Sequence, residues 1–309
     1  MTPTPILFDC DPGHDDAVAL VMAHRSPAIE LLGVTTTAGN AGIERTTRNA
    51  LRILEYIGAT DVPVAMGSVR PLTRPLMLGT ADGPSGLEGS TYLPDPTMKP
   101  IPGHAVEFMA KVLRKAEAPI DLLATAPLTN VALLIMKYPE LRAKIKRLTW
   151  MGGAFYRKSE IISPTEFNAF CDPEAVGIVL ESGIPITAVG LDVTRRVTVE
   201  EPQFALLDEM GTPLSRLVTD WLRYYDKLHR KTMNIGGAMH DPLALACLID
   251  PTVITTRAVH VEVDLTGTWT FGATVADFWG QRGKANNVDI ACDVDVEKFF
   301  GMMFGLLRA

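Results

Sequence analysis

The stretch "DCDPGHDDA", residues 9 to 17, places four aspartates in nine positions around a Pro-Gly turn. Asp9 and Asp11 end a predicted first strand, and they share a face because strand side chains alternate. Asp15 and Asp16 follow at the start of a predicted helix, where the helix dipole favours carboxylates and where Asp15 alone could be an N-cap. Four crowded carboxylates repel one another unless a cation neutralises them. The stretch therefore predicts a site for a hard cation.

The available ligands are oxygens, which favour Ca²⁺ or Mg²⁺ over zinc, and the chain has no HExxH motif and no Cys/His cluster. Haloacid-dehalogenase-like phosphatases also place two aspartates two residues apart after a first strand. Their motif has Thr or Val at the fifth position, where this chain has Gly13, and no Asp-Asp pair directly afterwards. The sequence therefore disfavours aspartyl-phosphate chemistry.

The elements around this loop alternate between strands and helices. Apolar runs rich in β-branched residues predict strands, and apolar residues at helical spacing predict helices between them. The predicted strands include "PILFD", "LLGVTTT", "VPVAM", "DLLAT", "RLTWMG", "PITAVGL" and "VHVEVD". This order predicts an α/β fold of Rossmann-like type, with a mostly parallel central sheet and helices on both faces. Ligands of such sheets bind beyond the carboxyl ends of the strands, so chemistry is expected on the loops that follow strands.

We predict a single domain over residues 1–309, because this length suffices for one large α/β core. Residues 71–103 are dense in Gly and Pro, which predicts a long loop with freedom to move over a site. Residues 200–250 show mainly helical spacing and are expected to border the site. A last strand and a packing helix are predicted after them.

Composition argues against several kinds of partner. The net charge is −7 and no long basic run occurs, so nucleic acid is not an expected partner. No run of 18 or more apolar residues and no basic segment ahead of an apolar run occur, which predicts a cytoplasmic protein without membrane insertion. The four cysteines are far apart and are expected to be buried thiols outside the chemistry.

The aspartate stretch resembles the signature of the nucleoside hydrolases, the inosine-uridine-preferring nucleoside N-ribohydrolases. Similar family elements follow it in order over almost the whole chain: "TTTAGN" (35–40), "LLATAPLTNVA" (122–132), "MGGAF" (151–155), "EFNAFCDPEA" (166–175), "GLDVT" (190–194) and "MHDP" (239–242). The resemblance implies the nucleoside hydrolase fold and calcium-dependent hydrolysis of the N-glycosidic bond of a ribonucleoside, which releases free base and ribose. It also implies a homodimer or homotetramer.

The resemblance further implies a Ca²⁺ bound by the side chains of Asp11, Asp16 and Asp241 and by the backbone carbonyl of Thr125. Oxygen ligands of this kind suit calcium. Asp11 would also be the general base that takes a proton from the attacking water. His240 would protonate the leaving base, which makes it the second implied catalytic residue.

Four further residues are implied to bind the ribose. Asp15 would bind the 2′-hydroxyl, Asn40 and Asn168 would bind sugar hydroxyls, and Glu166 would accept from the 5′-hydroxyl. Because each sugar hydroxyl would be paired with a polar group of the protein, a sugar that lacks one hydroxyl is expected to be rejected strongly. Carboxylates near the sugar would also stabilise the positive charge of an oxocarbenium-like transition state.

Several of these residues also have ordinary structural explanations. Asn40 follows a glycine after a strand and could be a turn residue, Asn168 could cap a helix, and Thr125 could be an ordinary threonine at a strand end. Asp241 followed by Pro242 is a typical helix start, and we expect it to be both a helix start and a ligand.

A pocket for the base is expected beside the predicted helix "DWLRYYDKLHRK". Tyr225 and His229 are four residues apart and therefore share a face of this helix. Phe167, Met233 and Met239 could line an apolar pocket, although such residues are more often core.

Three features depart from the family pattern. Asp82 precedes Gly83 where many relatives carry a His-Gly pair, so a histidine contact to the base is missing or comes from elsewhere. Glu160 stands where relatives commonly have asparagine, and its charge would repel a 5′-phosphate. Leu228 and Thr232 stand nearest the positions of a Gln and Tyr pair in some pyrimidine-preferring relatives, which counts against a pyrimidine preference.

These observations leave three hypotheses. The first is a calcium-dependent hydrolase of common ribonucleosides. The second, motivated by Asp82 and Glu160, keeps the ribose and metal site but acts on a modified nucleoside or another ribosyl compound. The third is a nucleoside-binding or ribose-binding protein without turnover, against which the presence of Asp11 and His240 argues.

Overall fold

The structure, a computed structural model, describes residues 2–79, 83, 85–89, 93–156 and 165–308. Its strands are β1 Thr4–Cys10, β2 Ile29–Thr36, β3 Val64–Met66, β4 Ile120–Ala124, β5 Ile145–Met151, β6 Ile186–Val189, β7 Ile254–Val263, β8 Thr274–Asp277 and β9 Val288–Val294. They form a sheet of nine strands in the order β3-β2-β1-β4-β5-β6-β9-β7-β8. The fold class predicted from the sequence is confirmed.

The helices alternate with the strands along most of the chain. They are α1 His14–Arg25, α2 Ile43–Tyr56, α3 Ala105–Lys115, α4 Thr129–Lys137, α5 Phe167–Cys171, α6 Pro173–Leu180, α7 Leu191–Thr194, α8 Glu201–Met210, α9 Pro213–Met233, α10 His240–Ile249 and α11 Val296–Arg308. Three helices, α8 to α10, occupy most of the range 200–250. In the described part of the chain, no helix combines the length and the apolar character that a membrane-spanning segment requires.

Most neighbouring strands in the sheet are parallel, and the exception is β7. It pairs antiparallel with β9 on one side and with β8 on the other. No helix separates β7 from β8, and antiparallel neighbours need no helical crossover. The sequence pattern did not predict β8, because its four residues, "TVAD", contain only two apolar side chains and end in Asp, which is unfavourable in strands.

The sheet has a hydrophobic core on each face, which the alternation of β1 illustrates. Ile6 and Phe8 point into a core that includes buried residues of α1, α2, α10 and α11. Leu7 points the other way, into a core with residues of α3, α4 and α6. Both faces are buried, so the parallel strands are apolar runs without polar alternation.

The strand order reverses beside β1. From β1 the chain builds outward through β2 to β3, then returns to place β4 on the other side of β1. The loops after β1 and β4 therefore diverge, and a crevice opens between them at the carboxyl edge of the sheet. The backbone N–H of Thr125 donates to the Asp9 carbonyl at 2.9 Å, which fixes the floor of this crevice.

A buried polar network holds the strand ends beneath the crevice. The Asn130 side-chain Nδ2 donates to Asp9 Oδ1 at 2.8 Å and to the Thr36 carbonyl at 3.0 Å. Asn130 Oδ1 accepts from the backbone N–H of Ser68 at 3.0 Å. Thr35 Oγ1 donates to the same oxygen of Asp9 at 2.5 Å. The network ties the ends of β1 and β2 and the segment after β3 to the start of α4.

The long loop has the form that its composition predicts. None of the described residues between 71 and 103 lies in a helix or a strand. Both carboxylate oxygens of Glu55 accept from the backbone N–H of Thr97, at 2.8 and 3.1 Å, which fastens this part of the loop to the end of α2. The mobility of the loop over the site stays a prediction.

Candidate active site

The aspartate stretch turns from β1 into α1 within three residues. Gly13, and not Asp15, is the N-cap of α1, and its backbone N–H donates to Asp16 Oδ2 at 3.1 Å. The explanation of Asp15 as a cap is therefore wrong. A glycine without a side-chain acceptor leaves the first turn of the helix to be stabilised by the carboxylate of Asp16, three residues on.

Three buried aspartates converge where α1 and α10 begin. One carboxylate oxygen from each of Asp15, Asp16 and Asp241 lies within 4.8 Å of the others. Burial, together with the negative charge of the neighbouring aspartates, raises the pKa of the Asp241 carboxyl well above its ordinary value. Asp11 is also completely buried and adds to this charge. Crowded buried carboxylates fit a bound cation, which would offset their repulsion.

Two of the three carboxylates implied as metal ligands, Asp16 and Asp241, belong to this cluster, whereas Asp11 is not a member of it. The third member is Asp15, for which the resemblance implied a contact to ribose and not to the metal. Thr125 Oγ1 donates to Asp16 Oδ1 at 2.7 Å, so Thr125 adjoins the cluster. Its carbonyl accepts from Asn168 Nδ2 at 2.9 Å, and a carbonyl oxygen has a second lone pair for another partner.

Asp241 is a first-turn residue of α10 and not its N-cap. The helix begins at His240, with Met239 in the cap position, so the start lies earlier than the Asp241-Pro242 pair predicts. The carboxylate still lies where the helix dipole favours negative charge.

Asn40 holds two of the aspartates. Its backbone N–H donates to Asp11 Oδ2 at 2.7 Å, and its side-chain Nδ2 donates to Asp16 Oδ2 at 3.3 Å. Asn40 is therefore more than a turn residue. The preceding Gly39 lies directly against Asp11, and a Cβ atom there would be 2.0 Å from Asp11 Oδ2.

Substitution Gly39→Ala is expected to lower kcat about 100-fold, because the added methyl group displaces the carboxylate of Asp11, the general base that the family resemblance implies, and misplacement of a reacting group by about 1 Å costs on that order. The measurement is the rate of the reaction that the resemblance implies, release of ribose from a nucleoside at saturating concentration. Gly301→Ala is the control: Gly301 lies in α11 with open space around its Cα, so activity should not change. Wild-type kcat in Gly39→Ala would contradict the close contact with Asp11.

Glu166 is the N-cap of the short helix α5. Its Oε1 accepts from the backbone N–H of Asn168 at 2.8 Å, and its Oε2 accepts from those of Gly153 and Ala169, each at 3.1 Å. The cap that the sequence allowed for Asn168 is thus supplied by Glu166. Burial raises the pKa of the Glu166 carboxyl, and the backbone donors oppose that shift.

Asn168 lies inside α5 and links it to two strands. Its Nδ2 donates to the carbonyl of Thr125 after β4 and, at 3.1 Å, to that of Met151 in β5. Both amide donors are therefore directed at the backbone. The remaining polar atom of this side chain, Oδ1, is an acceptor.

His240 opens α10 beside the aspartate cluster. Its Nδ1 lies 2.7 Å from Thr194 Oγ1, and the residue is only partly exposed. Burial lowers the pKa of the imidazole to about 3, and the positive charges of His229 and Arg195 act in the same direction.

An aromatic wall stands beside α10 and the start of α1. The rings of Tyr225 and His229 are 3.9 Å apart, which confirms that they share a face of α9. The His14 ring is 5.6 Å from Tyr225 and is stacked on Tyr224 at 5.5 Å. His14 Nε2 is 2.8 Å from the carbonyl of Glu88. The long loop, α1 and α9 therefore meet here.

The other residues predicted to line a base pocket are not seen in the aromatic wall. Phe167 is partly buried as the first residue of α5. Met239 is completely buried in the hydrophobic core, which is the ordinary explanation for methionine. Asp82 and Glu160 lie outside the described residues, as does the side chain of Met233.

Three polar residues around the site have partners that the sequence did not indicate, and two of them, Asn130 and Thr194, were not among the predicted site residues. Asp9 is buried beneath it, and burial raises the pKa of the Asp9 carboxyl to about 7. Asn130 holds Asp9, and Thr194 contacts His240. Each lies within a motif that was recognised, so a signal was present, but sequence alone named no partner for any of them.

The fold and the site define a class of protein: an α/β enzyme with a buried acidic site at the point where the strand order reverses. The family model described as "Inosine-uridine preferring nucleoside hydrolase" matches residues 6–301, and the chain belongs to this family. The family resemblance and the enzyme class, a glycosidase that acts on N-glycosyl compounds, are thereby confirmed.

Individual relatives agree with this assignment over nearly their whole length. The chain is 41% identical over 302 residues to the pyrimidine-specific ribonucleoside hydrolase RihA of Salmonella agona (strain SL483). The aligned residues cover 97% of this chain and 96% of that protein. RihA of Escherichia coli O1:K1 / APEC is 41% identical over 307 residues, with 98% of each chain covered. Among solved structures, a purine-preferring ribonucleoside hydrolase from Gardnerella vaginalis has a TM-score of 0.91 at 31% identity and 99% coverage of both chains.

Proposed function

We propose that this nucleoside hydrolase is calcium-dependent and cleaves ribonucleosides to free base and ribose, with pyrimidine ribonucleosides preferred. The observation that carries the proposal is the buried cluster of aspartates at the crevice between β1 and β4. The pyrimidine preference is supported by the 41% identity to hydrolases named as pyrimidine-specific. Leu228 and Thr232 count against a pyrimidine preference, whereas the identity to the pyrimidine-specific relatives favours it.

Calcium is the proposed ion because the donors are all oxygens, and Ca²⁺ accepts six to eight of them. Asp11, Asp16, Asp241 and the Thr125 carbonyl would hold it, and Asp15 is within reach of the same cluster. When bound, the cation would offset the carboxylate repulsion, engage the ribose diol and make a water more acidic.

Asp11 is the proposed general base. The backbone N–H of Asn40 fixes one oxygen of its carboxylate, and burial keeps the group away from bulk water. Asp11 takes a proton from the water that attacks the anomeric carbon, while the bond from that carbon to the base nitrogen breaks. The surrounding negative charge stabilises the sugar as it becomes positive.

The ribose contacts are proposed for Asp15, Asn40, Glu166 and Asn168. Because the Nδ2 of Asn168 donates to two carbonyls, the side chain offers Oδ1 to a sugar hydroxyl. Glu166 is the proposed contact of the 5′-hydroxyl, and the backbone N–H groups of Gly153, Asn168 and Ala169 fix the position of its carboxylate.

His240 is the proposed acid toward the leaving base. It starts α10 next to Asp241, and the wall formed by Tyr225 and His229 borders the same end of the helix. The base would lie between this wall and the ribose. Phe167, next to Glu166 and partly exposed, is a further proposed contact.

We also propose, from family resemblance and composition, that the protein acts in the cytoplasm as a homodimer or homotetramer. Light scattering coupled to size exclusion gives the assembly directly. A mass equal to one 33.6 kDa chain would contradict the proposed assembly.

Release of ribose from a nucleoside panel tests the function. Uridine and cytidine are expected to react faster than inosine and adenosine, and 2′-deoxyuridine is expected to lose about 1,000-fold or more in kcat/KM. The missing hydroxyl leaves buried polar groups of the site without a partner, and sites built to hydrogen-bond a hydroxyl discriminate strongly.

Equal rates for uridine and 2′-deoxyuridine would contradict the diol-binding site. A reversed order of bases would overturn the pyrimidine preference alone. No release from any common nucleoside, in protein shown to contain its metal, would point to a modified nucleoside or to binding without turnover.

A further inference from the structure

Thr194 is a completely buried threonine whose hydroxyl Oγ1 lies 2.7 Å from His240 Nδ1. We propose that Thr194 is a positioning residue: it holds Nδ1 of His240 so that Nε2 is the ring atom presented to the leaving base. The inference rests on the proposed function, because it requires His240 to act on the leaving group. It assigns a role to a residue of the "GLDVT" segment for which the sequence suggested none.

The hydroxyl is held in place by the fold. Thr194 ends α7, where its backbone N–H donates to the Gly190 carbonyl at 3.2 Å and its carbonyl accepts from Val197 N–H at 3.1 Å. The same helix is anchored by Asp192, whose two carboxylate oxygens accept from the N–H groups of Phe155 and Tyr156. A β-branched side chain on a fixed backbone has few rotamers, so Oγ1 has a defined position.

The Thr194 hydroxyl is not shared with other hydrogen-bond partners among the described residues. Within the described ranges, Thr194 Oγ1 has no hydrogen-bond partner other than His240 Nδ1. A hydroxyl can both donate and accept, whereas a backbone carbonyl only accepts. Thr194 can therefore hold Nδ1 whether or not that nitrogen carries a proton, and the ring need not turn during the reaction.

The two ring nitrogens of His240 differ in their surroundings. Nδ1 lies against the buried hydroxyl of Thr194, whereas no hydrogen bond to Nε2 is found among the described residues. Nε2 is therefore the ring nitrogen that remains for the base. On the chain, the next residue is Asp241 of the aspartate cluster.

The proton transfer balances with this arrangement. Thr194 Oγ1 holds Nδ1, and Nε2 is the ring nitrogen that faces the base. As the bond between the anomeric carbon and the base breaks, its electron pair moves to the base, and the base takes the proton from Nε2. The contact between Nδ1 and Thr194 is kept throughout this transfer, so the ring does not turn.

The test compares two substrates that differ in their need for this proton. Uridine loses a poor leaving group, whereas p-nitrophenyl β-D-ribofuranoside releases a stabilised phenolate that needs no acid. Thr194→Val removes the hydroxyl and nearly keeps the shape, and Thr194→Ser keeps the hydroxyl. For Thr194→Val we expect kcat on uridine to fall about 10- to 100-fold, with KM unchanged and the p-nitrophenyl substrate affected less than about twofold. Thr194→Ser should restore most of the uridine activity.

A loss that is equal on both substrates, or no loss on uridine, would overturn the positioning role. If Thr194→Val does not fold, Thr194→Ala supplies a second variant without the hydroxyl, and the same division between substrates is expected. His240→Ala separates the two levels of the argument: it should show a larger loss confined to uridine, and adding Thr194→Val to it should have no further effect. Wild-type protein inactive on both substrates would instead overturn the proposed function itself.

Discussion

Replacement of Asp11 by asparagine is expected to lower kcat for uridine by about 1,000-fold or more and to leave the melting temperature within a few degrees of wild type. Asparagine has the same shape, and its side-chain oxygen can still accept from the Asn40 N–H. An amide cannot take a proton from the attacking water, and general base catalysis contributes about 10²- to 10⁴-fold. Loss of a charged ligand adds to the effect.

The measurement is the steady-state rate of ribose release, made together with the calcium content of each preparation. Calcium retained in Asp11→Asn would assign the loss to the base, and calcium lost would assign part of it to the ligand. Asp61→Asn is the control, since Asp61 is exposed in a turn and should tolerate the change. An Asp11→Asn variant with more than a tenth of the wild-type kcat would contradict the role of Asp11 as base.

Removal of calcium is expected to abolish activity and lower the melting temperature. The aspartates of the cluster are buried close together, and without a cation their repulsion opposes the fold. A ligand at 100 times its Kd stabilises the native state by about 2.7 kcal/mol, so the shift in melting temperature should be easily measured. Dialysis against EGTA followed by addition of CaCl₂ should remove and then restore both properties, and MgCl₂ should restore less.

Asp241→Asn gives this prediction a matched variant. One buried charge is gone, so the chelated variant should be at least as stable as chelated wild type, and the rise in melting temperature on adding calcium should largely disappear. Asp61→Asn should keep the full calcium response. Unchanged activity in protein that retains less than a tenth of an equivalent of calcium would contradict the dependence on the metal.

The amino-acid sequence by itself determined the elements and the chemistry. Periodicities of two and about 3.6 are local properties, so the apolar runs predicted eight of the nine strands and most of the helices, and the β-α alternation predicted a mostly parallel sheet. The spacing of Asp9 to Asp16 indicated a cation site because charge repulsion depends only on the crowding of like groups. Two short elements were not predicted: β8 has only two apolar residues, and α7 is little more than one helical turn.

Only the tertiary structure decided which side chains meet. The strand reversal beside β1 brings the loop around Asp11 to Thr125, and the start of α10 adds Asp241, although these segments are more than a hundred residues apart. The Thr194 contact with His240 spans 46 positions. No local pattern records such distances, because contacts between remote segments depend on how the sheet and helices pack. For the same reason the helix caps went to Gly13 and Glu166, while Asp15 joined the aspartate cluster and Asn168 the strand ends.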